Sequence, residues 1–209
     1  DPDIRYNGAG FRVVLDSLPL QVEVHRLLKD GDDRYSSTLL TAGSEVESGS
    51  AIEVRFSVDA RQYVYIGMMQ TQGTAAVLYP SGSDEKGGHL VISRKNPFEP
   101  GTQHTLPGFK DSGKPVGFRF DEVTGCESIV VLASSKPLKN IDDIIASQST
   151  AGGDSASDEY AGKTRSAFED HTRGYAGLGS ANQLREQRGV DDGVAWYVLE
   201  LRHIDGNGQ

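Results

Sequence analysis

Between Ser50 and Leu138 apolar and polar residues change places with a period of two, and that period constrains the fold more than any other feature of the chain. Ile52, Val54, Phe56 and Val58 fall on one side of an extended backbone, and Glu53, Arg55, Ser57 and Asp59 on the other. A strand with one face in a core and one in water needs that arrangement, because successive side chains leave opposite faces of the pleat. Val116, Phe118 and Phe120 repeat it against Gly117, Arg119 and Asp121. Gln62 to Met69 is apolar in both phases, as expected of a strand covered on both faces, and is therefore placed at the centre of a sheet.

Further strands are expected over Phe11 to Asp16, Leu20 to Leu28, Tyr35 to Thr41, Thr74 to Tyr79, Leu90 to Ser93, Glu127 to Ala133 and Val194 to Ile204. Asp30-Gly31 marks a hairpin, since both residues tolerate positive φ. Asn140 is placed as the cap of a short helix from Ile141 to Ser147, with Asp142 and Asp143 in its first turn, where the helix dipole favours them. A second short helix is expected from Ala181 to Arg188. From Ser149 to about Ser180, Gly, Ser, Ala and Asp dominate and apolar residues thin out, so residues 149–180 read as a flexible low-complexity insertion with at most a helical turn near Phe168. The expected whole is one mainly β domain over residues 1–209: an antiparallel β-sandwich with one or two short helices.

Charge and cysteine content narrow the function classes. The net charge of −9 repels phosphate backbones, and Arg94-Lys95 with Arg165, Arg173, Arg185 and Arg188 are too scattered to form a compensating patch, so no nucleic acid partner is expected. The single cysteine, Cys126, excludes an internal disulfide and any site built on paired thiolates, and reads as a small apolar residue beside a strand. No apolar stretch approaches the ~20 residues of a membrane-spanning helix. Because the chain opens on Asp1 rather than Met, an N-terminal piece is expected to have been cut away, and a signal or lipidation segment within it would leave no trace in these residues.

The order of elements carries a resemblance. A glycine precedes an alternating strand (Gly49, then Ile52 to Val58), and a Tyr-rich strand follows at Tyr63-Val64-Tyr65-Ile66. An apolar-Tyr-Pro stop comes next at Val77-Leu78-Tyr79-Pro80, then Pro115 to Phe120 and Glu127 to Ala133 with Ser134-Ser135-Lys136-Pro137-Leu138. Residues 47–138 thereby resemble the bacterial family called domain of unknown function 4384. The resemblance implies an envelope association, periplasmic or at the outer membrane, and a sensing or adaptor role beside signalling modules such as kinases and caspase-like peptidases. It implies no catalytic residues.

No catalytic set assembles from spacing alone. His25, His89, His104, His171 and His203 stand far apart, none at the i, i+2 or i, i+4 interval of a metal ligand pair. His89 and His104, with Asp84 or Glu85, are the one combination that resembles a metal site, and would make the chain a metal-dependent hydrolase. Ser81-Gly82-Ser83 and Gly179-Ser180 lack the strand-turn-helix context of a nucleophile elbow. Asp30-Gly31-Asp32-Asp33 lacks the spaced ligands of a calcium loop, and Gly8-Ala9-Gly10 precedes a strand rather than opening a helix. Tyr63, Tyr65, Tyr79 and Trp196 read as core aromatics with polar tips near the rim.

What remains is the polar stretch from Ser81 to Lys114, because rigid sheets commonly carry binding residues on long loops. A contact surface of Tyr79, Asp84, Glu85, His89, Arg94, Lys95 and Phe98 is expected there. The sequence thus points to a non-enzymatic binding or sensing module without cofactor. Its expected partner is a protein or cell-wall component, with a membrane-anchored kinase or secretion apparatus as the alternative.

Overall fold

A computed structural model describes residues 19–30, 34–70, 75–80, 96–109, 115–150, 158–172 and 184–206. The expected strands at Phe11 to Asp16 and Leu90 to Ser93 lie outside the described residues. Two sheets face each other, as the alternating pattern requires. In the first, β4 (Ala51–Val58) pairs antiparallel with β1 (Leu20–Asp30), which pairs with β2 (Arg34–Leu39). On its other edge β4 takes two short strands, β7 (His104–Leu106) and β10 (Phe118–Arg119). The second sheet runs β12 (Glu186–Asp191), β13 (Val194–Ile204), β11 (Gly125–Ser134), β5 (Tyr63–Gln70) and β6 (Ala75–Tyr79). Its one parallel member is β3 (Glu45–Glu47), laid beside the end of β13. A separate two-stranded ribbon joins β8 (Gly108–Phe109) and β9 (Pro115–Val116).

The sandwich core lies between the sheets: Val24, Ile52, Val54 and Phe56 from one side meet Val64, Ile66, Ile129, Val131, Tyr197 and Leu199 from the other. The second sheet is covered on its outer face too. Helices α1 (Lys139–Thr150) and α2 (Asp158–His171) lay Ile141, Ile144, Ala167 and Phe168 over Tyr65, Met69, Val130, Leu132 and Val198. This explains why β5 and β11 are apolar in both phases. The middle of the sheet is β11, with β5 one place out, so the double burial predicted for Gln62 to Met69 holds while its central position does not.

Four local differences from expectation have physical causes. The strand predicted over Val116 to Phe120 breaks at Gly117, where a Cβ would sit 2.7 Å from Ala51 Cβ and 2.9 Å from the Ile52 carbonyl oxygen. The α1 turn starts earlier than Asn140: the Leu138 carbonyl accepts the Asp142 N–H at 3.0 Å, which makes Asn140 an interior residue and not the cap. Residues 186–191, inside the predicted helix Ala181 to Arg188 and just past it, form the edge strand β12, while 181–183 lie outside the described residues. Within the segment read as an insertion, α2 is an ordered part of the fold, with Ala161, Thr164, Ala167 and Phe168 buried. Tyr65 joins the layers: its hydroxyl accepts the Leu138 N–H at 2.9 Å and donates to Asp142 Oδ1 at 3.1 Å.

Candidate functional site

Of the residues expected to form a contact surface, Asp84, Glu85, His89, Arg94 and Lys95 lie outside the described residues. Tyr79 and Phe98 do not form a surface. They are 0% and 4% exposed, and Phe98 packs edge-on against Phe56 at 4.9 Å between ring centroids. Their alternation places them in the sandwich core, which corrects their assignment as binding residues. His104 is half-buried, its ring tilted against that of Phe98 at 4.8 Å between centroids, and its Nε2 lies 3.0 Å from the Glu99 carbonyl oxygen.

A different polar group is built into one end of the second sheet. Gln70 follows Val64, Ile66 and Met68 in phase along β5, Glu127 leads Ile129 and Val131 along β11, and His203 follows Leu199 and Leu201 along β13. All three therefore point to the inner face. Register then brings them together, since Glu127 pairs with both Gln70 and Leu201, and His203 with Gly125. His203 Nδ1 stands 2.6 Å from Glu127 Oε1. Gln70 Nε2 donates to Glu127 Oε1 at 3.3 Å and to both Asp121 oxygens at 3.1 and 3.2 Å. The other ring nitrogen of His203, Nε2, meets Ser48 Oγ at 3.0 Å, and Phe120 closes over the imidazole at 5.3 Å.

Glu127 is 1% exposed and His203 2%. Burial, reinforced by the neighbouring Asp121 carboxylate and opposed by the Gln70 hydrogen bond, pushes the Glu127 carboxyl up to about 8. Burial thus favours the protonated form of the Glu127 carboxyl.

Ser48, His203 and Glu127 follow one another as do the members of an acyl-transfer triad. Such a triad also needs backbone N–H groups free to receive an oxyanion. Those around Ser48 are already engaged: Ser48 N–H donates to the Ile204 carbonyl at 3.0 Å, Gly49 N–H to Phe120 at 3.0 Å and Ser50 N–H to Glu47 at 2.9 Å. The hydroxyl is thus held beside the imidazole, and none of these three N–H groups is free to stabilise a developing oxyanion.

The second feature is a cleft of about 330 Å³ between the sheets, lined by Val22, Leu40, Phe56 and Tyr197 with Gln21, Glu23, Arg55, Gln103, Glu186 and Arg188. Its origin is topological. Pairing of β1 with β2 stops at His25 and Leu39, after which the chain leaves the first sheet, while pairing of β1 with β4 continues to Leu20. Residues 20–23 of β1 are therefore hydrogen-bonded on one side only among the described residues. The Val24 carbonyl accepts the Leu40 N–H at 2.8 Å, away from β4. Val22, two residues back, aims its N–H and C=O in that same direction, into the cleft. On the rim, Arg55 Nε donates to Glu53 Oε1 at 2.8 Å, and Arg188 pairs with Glu186 at 3.1 Å. Burial foremost, then the Glu186 carboxylate, holds the Tyr197 hydroxyl above its usual range.

Spacing gave no hint of the Glu127 and His203 group, because its members are 76 residues apart and meet only through strand register. The available signal was phase: Gln70, Glu127 and His203 each occupy an inward position of an otherwise apolar strand. Among the described residues no helix is long and apolar enough to cross a membrane.

Residues 45–137 match the model of a family described as Domain of unknown function (DUF4384), in agreement with the segment that showed the resemblance. No curated protein and no solved structure matches the chain.

Proposed function

We propose that the chain is a non-enzymatic binding module that takes an extended polypeptide segment into the cleft beside β1. The observation that carries this reading is the one-sided pairing of residues 20–23, which leaves the Val22 N–H and C=O facing a cavity walled by Phe56, Leu40 and Tyr197. An added strand completes the β1 ladder through its main chain, and alternate side chains of the guest reach the apolar wall or the Arg55 and Arg188 rim. Gln103, a described residue of the stretch expected to carry contacts, lines the same rim. The envelope setting and the link to kinases or a secretion apparatus belong to the same proposal. They rest on the family resemblance of residues 45–137.

The test is selection of a displayed random-peptide library on the whole chain, with binders measured by fluorescence anisotropy. Val22→Pro removes an N–H that points away from β4, so it spares the β1–β4 ladder. Selected peptides are expected to lose tenfold or more affinity for Val22→Pro while its thermal midpoint stays close to that of the parent. Hydrogen exchange of the Val22 amide is expected to slow on binding. Equal affinity for Val22→Pro, or failure to enrich any sequence, refutes the reading.

A further inference from the structure

We propose that Asp121, Glu127 and His203 form a site for one divalent transition-metal cation of the zinc class, which ties the turn after β10 to the ends of β11 and β13. One ligand atom from each lies within 4.8 Å of the others. Ligands held at ~2.1 Å from a tetrahedral ion stand roughly 3.4 Å apart, so the three side chains need only small rotations to share one.

A second observation is independent of that proximity. Glu127 is 1% exposed, yet its Oε2 has no hydrogen-bond partner among the described residues. A buried carboxylate oxygen left without a donor is a rare and costly state, which a cation relieves. The imidazole points to the same conclusion. Ser48 Oγ donates toward the Ile204 carbonyl at 3.5 Å and so offers a lone pair to His203 Nε2–H at 3.0 Å. In that tautomer the ring proton is on Nε2 and the Nδ1 lone pair faces Glu127 Oε1, 2.6 Å away. Two electron-pair donors that close together share a positive charge, either a proton or a metal ion that displaces it.

The surrounding groups have the placement of an outer shell. Metal-bound imidazoles are commonly fixed through their second nitrogen, as Ser48 fixes His203, and metal-bound carboxylates are themselves hydrogen-bonded, as Gln70 bonds both Asp121 and Glu127. One nitrogen and carboxylate oxygens suit zinc, whereas magnesium and calcium favour oxygen alone. Cys126 precedes Glu127 on β11, so its thiol leaves the opposite face of the sheet and adds no sulfur. Asp121 is exposed, which opens the site to solvent on one side and leaves water the remaining coordination position.

The test uses the whole chain, stripped with a chelator and titrated with zinc chloride in a calorimeter, with magnesium chloride in parallel. One zinc per chain, a raised thermal midpoint with zinc and no response to magnesium are expected. Asp121→Asn, at an exposed position, is expected to keep the metal-free midpoint and weaken zinc binding tenfold or more. Ser48→Ala is expected to weaken it by about tenfold through loss of the imidazole's support. Absence of stoichiometric zinc binding by the folded parent, or undiminished affinity in Asp121→Asn, overturns the proposal. Undiminished affinity in that variant would place the ion elsewhere on the chain.

Discussion

Removing the Phe168 ring tests whether α2 is part of the sandwich or an appendage to it. Phe168 is 0% exposed and its ring rests on Gly67, where an added Cβ would lie 2.7 Å from Cζ and 2.9 Å from both Cε atoms. Gly67 does not have a positive φ, so it is the ring and not a left-handed backbone that demands glycine here. Each single change is destabilising, and the second changes sign in the background of the first. Phe168→Ala leaves a cavity over β5 and is expected to cost ~3–5 kcal/mol. Gly67→Ala drives a methyl group into the ring and is expected to cost about 1–3 kcal/mol. Combined, the new methyl occupies part of the space the ring vacated, and alanine is worth roughly 0.5–1 kcal/mol over glycine within a strand. Once Phe168→Ala has removed the ring, Gly67→Ala therefore becomes neutral or stabilising.

Urea unfolding of the four proteins gives the coupling directly. A chain of 209 residues loses roughly 2–4 °C of thermal midpoint per kcal/mol, so Phe168→Ala alone is expected to lower it by about 6–20 °C. Additivity of the two changes within ~0.5 kcal/mol would mean that ring and glycine do not touch. A cost for Phe168→Ala below about 1 kcal/mol would show that α2 does not seal the outer face of the second sheet. Either result refutes the packing argument.

The Trp196 indole covers Gly189 across the β12–β13 pair, with Cζ2 at 2.7 Å from where a Cβ would stand. Gly189→Val is expected to cost ~1–3 kcal/mol and to shift the emission of Trp196, the chain's 1 tryptophan, toward that of an exposed indole; unchanged emission and stability contradict the contact. Ser48 is expected to resist a fluorophosphonate probe, since its neighbouring N–H groups are engaged; a labelled Ser48 found by mass spectrometry would restore a hydrolase reading. Burial raises the Asp142 carboxyl above its ordinary value, opposed by the hydrogen bond from Tyr65. The folded state then holds this proton to higher pH than the unfolded chain does, so the contribution is favourable in acid and fades as pH rises through the raised value. Asp142→Asn keeps the acceptor for Tyr65, and its unfolding midpoint in urea is expected to gain on the parent between about pH 4 and pH 7; a constant difference refutes the assignment.

Strands that face a core are legible because their own alternation records it: Ala51–Val58 and Val194–Ile204 fall where the pattern puts them. Elements whose place is set by a neighbour are not. Glu186–Asp191 has no apolar face to read, and its pairing with β13 makes it a strand, with Asp192 and Gly193 at φ 46° and 78° forming the turn. That Asp192-Gly193 pair, flanked by Asp191 and Val194, is a hairpin signal of the same kind as Asp30-Gly31. Helix α2 was hidden by composition, because its buried stripe consists of Ala161, Thr164 and Ala167, small residues that bring the helix close to the sheet, with Phe168 as the large residue it buries fully and Tyr160 partly buried beside it. The polar group was hidden for a third reason. Glu127 and His203 become neighbours through the β11–β13 register, a property of paired strands and of neither strand alone. An inward-facing acid and an inward-facing histidine on strands that pair are, on this reasoning, the feature to seek in any β chain whose linear spacing shows no site.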